Sequence, residues 1–375
     1  MALKVFGLDE ARAHARSWLF EHAAPLWIGT GISDNGLFAE RIDLQGNAVK
    51  LDRRLRVQAR QIYSFCVIGS LGWTGPWEER VTRAVDVLVS AGRRQDGLFG
   101  HLFNDSGTLI SEATDLYDHA FGLFALAHAA KALKRDELYA IADDIQTTLD
   151  EKWWRPEGGY WEGELTPCPP YRQNPHMHMF EAALAHFEAT GLQKWRARAD
   201  RIAELFLSKF QEPKSGAVTE YFDADWSRIG VPNSDVVEPG HCLEWAWLFE
   251  VGFAKSEGAN TSNALTEFAR NHGIDRNLGV AINEVKLNGE TVDGGARLWP
   301  QTERLKAALA RYKRTNDANE ANEAVAAYNG LLKYLDTPVP GLWRDRLNSD
   351  GSFVEEAAPA SSFYHIVCGI SELLK

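Results

Sequence analysis

The sequence predicts an all-α protein, an (α/α)6 barrel whose six helix pairs close into a ring with short β-hairpins at one end. Three observations predict it. A turn cue returns at an interval of about 60 residues, which marks a repeat architecture. Helical periodicity fills the space between the cues. No Pro/Gly/Ser-rich linker and no atypical polar cap interrupts the series, and a ring, unlike an open solenoid, has no ends to cap. Residues 1–375 therefore read as a single catalytic domain.

The cue is a glycine followed by apolar or aromatic residues. It stands at Gly36-Leu37-Phe38, Gly97-Leu98-Phe99, Gly159-Tyr160-Trp161, Gly216-Ala217-Val218, Gly279-Val280-Ala281 and Gly341-Leu342-Trp343. Several copies run on into a second turn, as at Asn104-Asp105-Ser106-Gly107, Leu287-Asn288-Gly289 and Ser349-Asp350-Gly351, so each reads as a short hairpin. Inner helices are predicted over 55–68, 116–133, 177–189, 243–251, 302–312 and 363–374, several ending at glycine. Outer helices fit over 77–90, 140–153 and 194–210.

Composition narrows the function classes. Forty basic against 52 acidic side chains leave a net charge of −12, and there is no basic run, which disfavours nucleic acid and anionic membrane surfaces as partners. No apolar stretch reaches the ~18 residues that span a bilayer. The N-terminus lacks the order of a signal peptide. Cys66, Cys168, Cys242 and Cys368 lie far apart and read as reduced thiols, so the expected location is cytoplasmic. A homodimer is expected only on the general frequency of two-fold assembly.

Equivalent positions of a ring converge on its axis. Near the start of the six inner helices stand Arg60, His119, His178, His241, Glu303 and His365. With only 11 histidines in the chain, four at this phase point to acid–base chemistry at the barrel mouth. Trp, Tyr, Asn, Gln and Glu side chains accompany them, a mixture suited to a sugar's apolar faces and hydroxyls. Taken singly, each has a plainer reading. A histidine at a helix start is more often structural, and His119, followed at once by an apolar helix, fits that best. Arg60 reads as half of an ion pair, and Trp299 as core. Only the shared phase argues for function.

Metal-ligand spacing is missing: His176 and His178 do not share a helix face, and neither His-Glu-x-x-His nor Cys-x-x-Cys occurs. His178, His241 and Glu303 meeting in space keeps a metal open. Glycine-rich phosphate loops are absent, which speaks against nucleotide cofactors.

Six segments resemble the N-acylglucosamine 2-epimerase superfamily, which includes mannose isomerases, sulfoquinovose-type aldose–ketose isomerases and cellobiose 2-epimerases. They are Gln58-Ala59-Arg60, Tyr117-Asp118-His119-Ala120-Phe121, Asn174-Pro175-His176-Met177-His178 with Glu181-Ala182, Pro239-Gly240-His241-Cys242-Leu243-Glu244-Trp245, Arg297-Leu298-Trp299-Pro300-Gln301-Thr302-Glu303, and Phe363-Tyr364-His365. The resemblance covers the whole chain. It implies the same (α/α)6 barrel and a sugar isomerase or epimerase needing neither metal nor cofactor. It also implies His241 and His365 as the acid/base pair, Arg60 at the reacting oxygens, and Tyr117, Asn174, His176, His178, Glu244, Trp299 and Glu303 as substrate-binding positions. The expected partner is a monosaccharide, since the insert near the pocket of some members has no counterpart.

The chemistry so implied opens an aldose ring, removes the C2 proton and stabilises an enediolate. Interconversion of an aldose and its ketose, of the mannose–fructose kind, is the expected outcome. A 2-epimerase is the alternative. An (α/α)6 glycoside hydrolase or lyase would need facing carboxylic acids, for which Glu244 and Glu303 are the candidates. A non-enzymatic binding protein leaves a His/Arg-lined mouth unexplained.

Overall fold

The computed structural model describes residues 4–228, 230–253 and 258–375. Six inner helices, Leu55–Ser70, Leu116–Leu133, Asn174–Thr190, Pro239–Gly252, Trp299–Thr315 and Ser361–Leu374, pack side by side, and the sixth returns to the first. The ring is closed, and the expected (α/α)6 barrel is the observed fold. Outer helices lie outside the joints: Trp77–Ser90, Glu137–Lys152, Gln193–Leu205, Ala259–His272 and Ala318–Leu335. The sixth outer position belongs to the N-terminal helix Leu8–Ser17, a segment that the repeat, counted from Gly36, does not assign. It is held by Arg12 Nε donating to Leu373 O (2.9 Å) and by His14 against the Tyr328 hydroxyl (2.8 Å).

Helix composition follows position in the ring. Pro239–Gly252 is apolar nearly all round, because both its faces are covered. Trp77–Ser90 buries only Val81, Ala84, Val85 and Leu88, one stripe at helical spacing. Four inner helices begin two to four residues before the sequence expectation. Their first turns carry proline and polar side chains, so apolar periodicity becomes visible only one turn later. Pro175, Pro239 and Pro300 occupy the first turn, where the missing N–H costs nothing.

At the mouth the chain turns through Gly36, Gly97, Gly158, Gly216, Gly279 and Gly341, all at φ between 70° and 93°, where a side chain is disfavoured. The third repeat glycine is thus Gly158, one residue before the expected Gly159, which is also left-handed. The glycine cue itself forms a tight loop closed by one bridge, such as Ile32 to Phe38 or Arg93 to Phe99. Hairpins follow it, as at Leu102–Phe103 with Leu109–Ser111 and Glu284–Lys286 with Thr291–Asp293.

These strands stitch the units together. The strand before an inner helix pairs with the loop of the next unit: Arg53 with Phe103, Tyr171 with Phe222, Val237 with Val285, and Ala296 with Leu347. The last joint pairs Arg41 with Pro359 and Ile42 with Ala358, and so ties the two ends of the series. Trp27 stacks on Trp343 beside it (4.7 Å between centroids) and donates to Gly341 O.

The loop backbone is satisfied from the inner helices. Phe38 N–H donates to Gln58 Oε1 (2.7 Å), and Gln58 Nε2 returns a bond to Phe38 O (3.0 Å). Gln301 does both for Ala281 (2.8 Å each). His119 Nε2 accepts from Phe99 N–H (3.0 Å), and His176 Nε2 from Tyr160 N–H (2.8 Å).

Replacing Gln58 by Leu keeps the volume and strands two buried backbone groups. It should lower unfolding stability by about 1–3 kcal/mol, read as a fall in the urea midpoint at unchanged slope. An unchanged midpoint would show that the loop does not depend on this anchor.

Candidate active site

The barrel mouth holds a polar cavity of about 200 Å³ lined by Arg60, Tyr117, Asn174, His178, Glu238, His241, Glu244, Arg297, Trp299, Asp345, Ser361, Ser362 and His365. It falls below the ~300–1,000 Å³ of drug-sized ligand sites and suits one sugar ring. Eight of the ten residues singled out from sequence line it. His176 and Glu303 do not, and their expected places on the wall are corrected here. His176 is fully buried between Phe210 and Trp226 and serves the Tyr160 backbone. Glu303 is fully buried behind His365.

The phase also needs correcting. Gln58, His119, His176 and Gln301 are equivalent, since each anchors its own loop. Two residues further on, the inward positions are Arg60, Phe121, His178 and Glu303, and the same step gives Glu244 and His365. His119 therefore belongs to the anchors and not to the axis. His241 stands nearly one turn ahead of Glu244, at the lip of the cavity.

Two imidazoles face the cavity in opposite states. His241 Nδ1 lies 2.9 Å from Glu220 Oε2 and 4.0 Å from Glu238 Oε1. Burial alone would lower its pKa, but the two carboxylates outweigh burial and raise it to about 9. Glu220 is held in place by Gln173 Nε2 (3.0 Å) and the Glu238 N–H (3.2 Å), while Gln173 Oε1 accepts from Trp245. Arg297 pairs with the other oxygen of Glu238 (2.8 Å). His365 Nδ1 lies 2.9 Å from Glu303 Oε1. Burial, followed by the nearby Arg60 and Lys306 charges, pushes its pKa well below the ordinary value. His241 is thus an imidazolium and His365 a neutral imidazole at neutral pH, the divergence expected of an acid/base pair.

Trp299 lies between them, its ring 4.9 Å from His241 and 5.6 Å from His365. Gly240 is required there: a Cβ would sit 2.5 Å from the Trp299 ring. From the first inner helix Arg60 spreads over Phe121 (4.1 Å) and near Tyr364, and it donates to the Tyr117 hydroxyl (2.7 Å) and to Ser361 O. Among the described residues it has no carboxylate partner, so its charge remains available to a ligand oxygen. Arg60 Nε, Asn174 Oδ1 and Glu244 Oε1 are buried with no hydrogen-bond partner in the protein. Burial and the Glu303 charge raise the Glu244 pKa well above the carboxylate range, which leaves it a neutral acid. His178 is tied to Glu181 (3.1 Å) and pushed down to about 4, chiefly by burial.

Sequence reasoning missed Glu220, Lys306 and Asp345, and it met Glu181 only as part of a motif, with no role given. A signal existed for two of them. The fourth residue after the repeat glycine is polar in every unit: Glu40, His101, Glu162, Glu220, Asn283 and Asp345. Glu40, Glu162, Glu220 and Asn283 each accept from the backbone N–H before the next inner helix.

Beside a group of His101, Asp115 and Asp118 away from the cavity lining, the groups that approach metal-binding geometry are Glu220/Glu238/His241, Glu244/Glu303/His365 and His178/Glu181/Glu244. In each, the imidazole Nδ1 already meets a carboxylate. In the first two a side-chain cation also lies against a carboxylate, Arg297 on Glu238 and Lys306 on Glu303.

The sequence profile of the N-acylglucosamine 2-epimerase (GlcNAc 2-epimerase) family matches residues 36–369. The chain is 38% identical, over 95% of both chains, to a protein of Rhizobium meliloti (strain 1021) named mannose-6-phosphate isomerase. It is 28% identical to a D-mannose isomerase of Thermobifida fusca, over 68% of this chain and 67% of that one. The solved cellobiose 2-epimerase of Spirochaeta thermophila superposes with a TM-score of 0.86 at 22% identity, covering 98% of this chain and 96% of that one. That likeness is one of fold.

In a histidine NMR titration, His241 should hold its proton to about pH 9. Its charge favours the folded state below the unfolded value of ~6.5, and this contribution is lost as pH rises through about 9. Glu220→Gln should move the titration to lower pH. An unmoved midpoint would show that Glu220 does not hold the charge.

Proposed function

Because the chain belongs to the N-acylglucosamine 2-epimerase family, we propose that it interconverts a free aldose and its ketose, of the D-mannose/D-fructose kind, through an enediolate. The observation that carries this reading is the pair of cavity imidazoles in opposite protonation states beside an arginine without a carboxylate partner.

The steps follow from those states. Protonated His241 donates to the ring oxygen as the aldose opens, and the imidazole so left takes the proton of the anomeric hydroxyl. Neutral His365 takes the C2 proton through Nε2, since its Nδ1 is engaged by Glu303. Arg60 and Tyr117 meet the developing O1/O2 charge, where a fixed guanidinium acts without reorganisation. Once the O2 proton has passed to O1 in the enediol, return of the carbon-bound proton from His365 to C1 gives the ketose. Trp299 offers its face to the sugar ring, and Asn174 and the neutral Glu244 offer hydroxyl partners.

A free sugar fits the cavity better than a phosphorylated one. Arg297 is neutralised by Glu238, and Arg56 and Arg172 nearby are paired with Asp118 and Glu162. Glu238, one of the two carboxylates that hold the His241 charge, lies on the wall and opposes a phosphate dianion there. The reaction as drawn needs no metal, since proton transfer and the Arg60 charge supply each step. Residues 1–375 act as one catalytic domain in this reading, and the free, mostly buried thiols suit a cytoplasmic setting.

A glycosidase reading loses ground because Glu303, one of its two acids, lies behind His365. The 2-epimerase reading differs in the face to which the proton returns, and product analysis separates the two.

Incubation with a panel of aldoses, ketoses and sugar phosphates should yield fructose from mannose, with much less turnover of the 6-phosphate and full activity in a chelator. Glucose as the main product would establish the epimerase, and loss on chelation restored by one divalent ion would overturn metal independence. In deuterated water, His365→Asn should abolish exchange at C2. His241→Asn should lose on the order of 10²–10⁴-fold in rate and recover in part with open-chain substrate. Wild-type exchange in both variants would refute the assignment.

A further inference from the structure

Lys306 lies inside the barrel with no solvent exposure. A lysine is almost never so placed unless paired. Its ammonium is 2.6 Å from Glu303 Oε2 and 3.9 Å from the centre of the Trp247 ring. The other oxygen of the same carboxylate is 2.9 Å from His365 Nδ1. Lys306, Glu303 and His365 thus form a line running from the barrel interior to the cavity wall.

We propose that Lys306 is a positioning residue: its ammonium keeps Glu303 a carboxylate, which fixes the His365 proton on Nδ1 and leaves Nε2 as the base. The inference rests on the isomerase reading for its kinetic consequence, while the position of the proton stands apart from it.

The physical reason lies in what Glu303 would do without the cation. It is fully buried, and the carboxyl groups of Glu181 and Glu244 lie nearby on the third and fourth inner helices. Burial, the larger effect, and the Glu181 charge both favour its protonated form and hold its pKa above the ordinary carboxylate value, and Lys306 opposes them. A protonated Glu303 would donate its hydrogen to His365 Nδ1. The imidazole would then carry its own hydrogen on Nε2 and present a donor to the sugar instead of a lone pair. One ammonium therefore sets the direction of a hydrogen bond, and through it the role of the side chain that touches substrate.

The charged and titratable groups around this line come from every inner element packed on it. They are Arg60 on the first inner helix, His178 and Glu181 on the third, Glu244 on the fourth, Glu303 on the fifth and Cys368 on the sixth. Lys306 is the single lysine among them, and three carboxyl groups surround it. Glu181 is satisfied by His178 and by the Tyr364 hydroxyl (2.6 Å), and Glu244 is held neutral. Glu303 is the member left to the lysine.

The test is the tautomer of His365, read by two-bond ¹H–¹⁵N spectra of the ¹⁵N-histidine-labelled full chain and assigned with His365→Asn. The wild type should show the proton on Nδ1, and Lys306→Met should move it to Nε2. Turnover by Lys306→Met should fall roughly 10²-fold, the low end of lost acid–base catalysis, with KM little changed. Adding Lys306→Met to Glu303→Gln should cost no further turnover, because the lysine acts through that carboxylate. A wild-type proton on Nε2 overturns the proposal without recourse to any variant, which covers a Lys306→Met protein that does not fold. A folded Lys306→Met protein with the wild-type tautomer and turnover overturns it as well. A wild type inert toward every sugar that still shows the tautomer change supports the proposal and overturns the isomerase reading.

Discussion

A ring of helices must bring six loops together at its mouth with no continuous sheet to receive their backbone groups. Buried N–H groups have to be paired, and here a side chain from the first turn of the inner helix pairs most of them. Gln58 and Gln301 close both ends of a loop residue, while His119 and His176 accept one N–H each. Where the sixth unit has no polar anchor, Phe363 stacks on Trp343 at the same position. The anchor fixes the rotation of its helix. Once residue 58, 119, 176 or 301 is tied outward to a loop, the residue two further on is turned to the axis. Catalytic geometry is thus set by loop satisfaction, a purely structural demand.

On that frame the chemistry depends on what stands behind each imidazole. Both histidines are buried and both meet a carboxylate through Nδ1 at 2.9 Å, yet their protonation differs. Behind His241 are two carboxylates, Glu220 and Glu238, with only Glu238 shared with an arginine. Behind His365 the one carboxylate is already paired with Lys306, and Arg60 adds positive charge. Surplus negative charge gives an acid in one place, and surplus positive charge gives a base in the other. The same residue type serves two roles because the charged neighbours named here sum to opposite signs.

The ring was legible in the sequence because its cause is local. A left-handed turn demands glycine, and an inner helix demands apolar residues, so both recur at each unit. The axis was less legible. Counting from apparent helix starts placed His119 with Arg60, although the first-turn position alternates between anchor and axis within two residues. Reading the cue at Gly159 rather than Gly158 hid the series of polar residues four positions on, and with it Glu220 and Asp345. Lys306 gives no signal at all. Three residues after Glu303 on a helix it reads as half of a surface ion pair, and only closure of the ring makes it an interior charge.

The arrangement of the walls bears on the outcome of the reaction. His241, Trp299 and His365 come from the fourth, fifth and sixth inner helices, and both imidazoles lie within 5.6 Å of one indole. The first three helices supply Arg60, Tyr117 and His178. Of these, Arg60 holds its charge, and His178 is a neutral ring tied to Glu181. Arg60 donates to Ser361 O on the helix that carries His365, so its charge sits beside that imidazole. Delivery of a proton to the opposite face of C2 would require a second acid, and the protonated His241 on the cavity wall is such an acid. Return of the proton by His365 to the neighbouring carbon requires only a shift along one face. The ketose thus needs one imidazole for its carbon proton transfers and the epimer needs two, and the helices that place these groups are oriented by their loops.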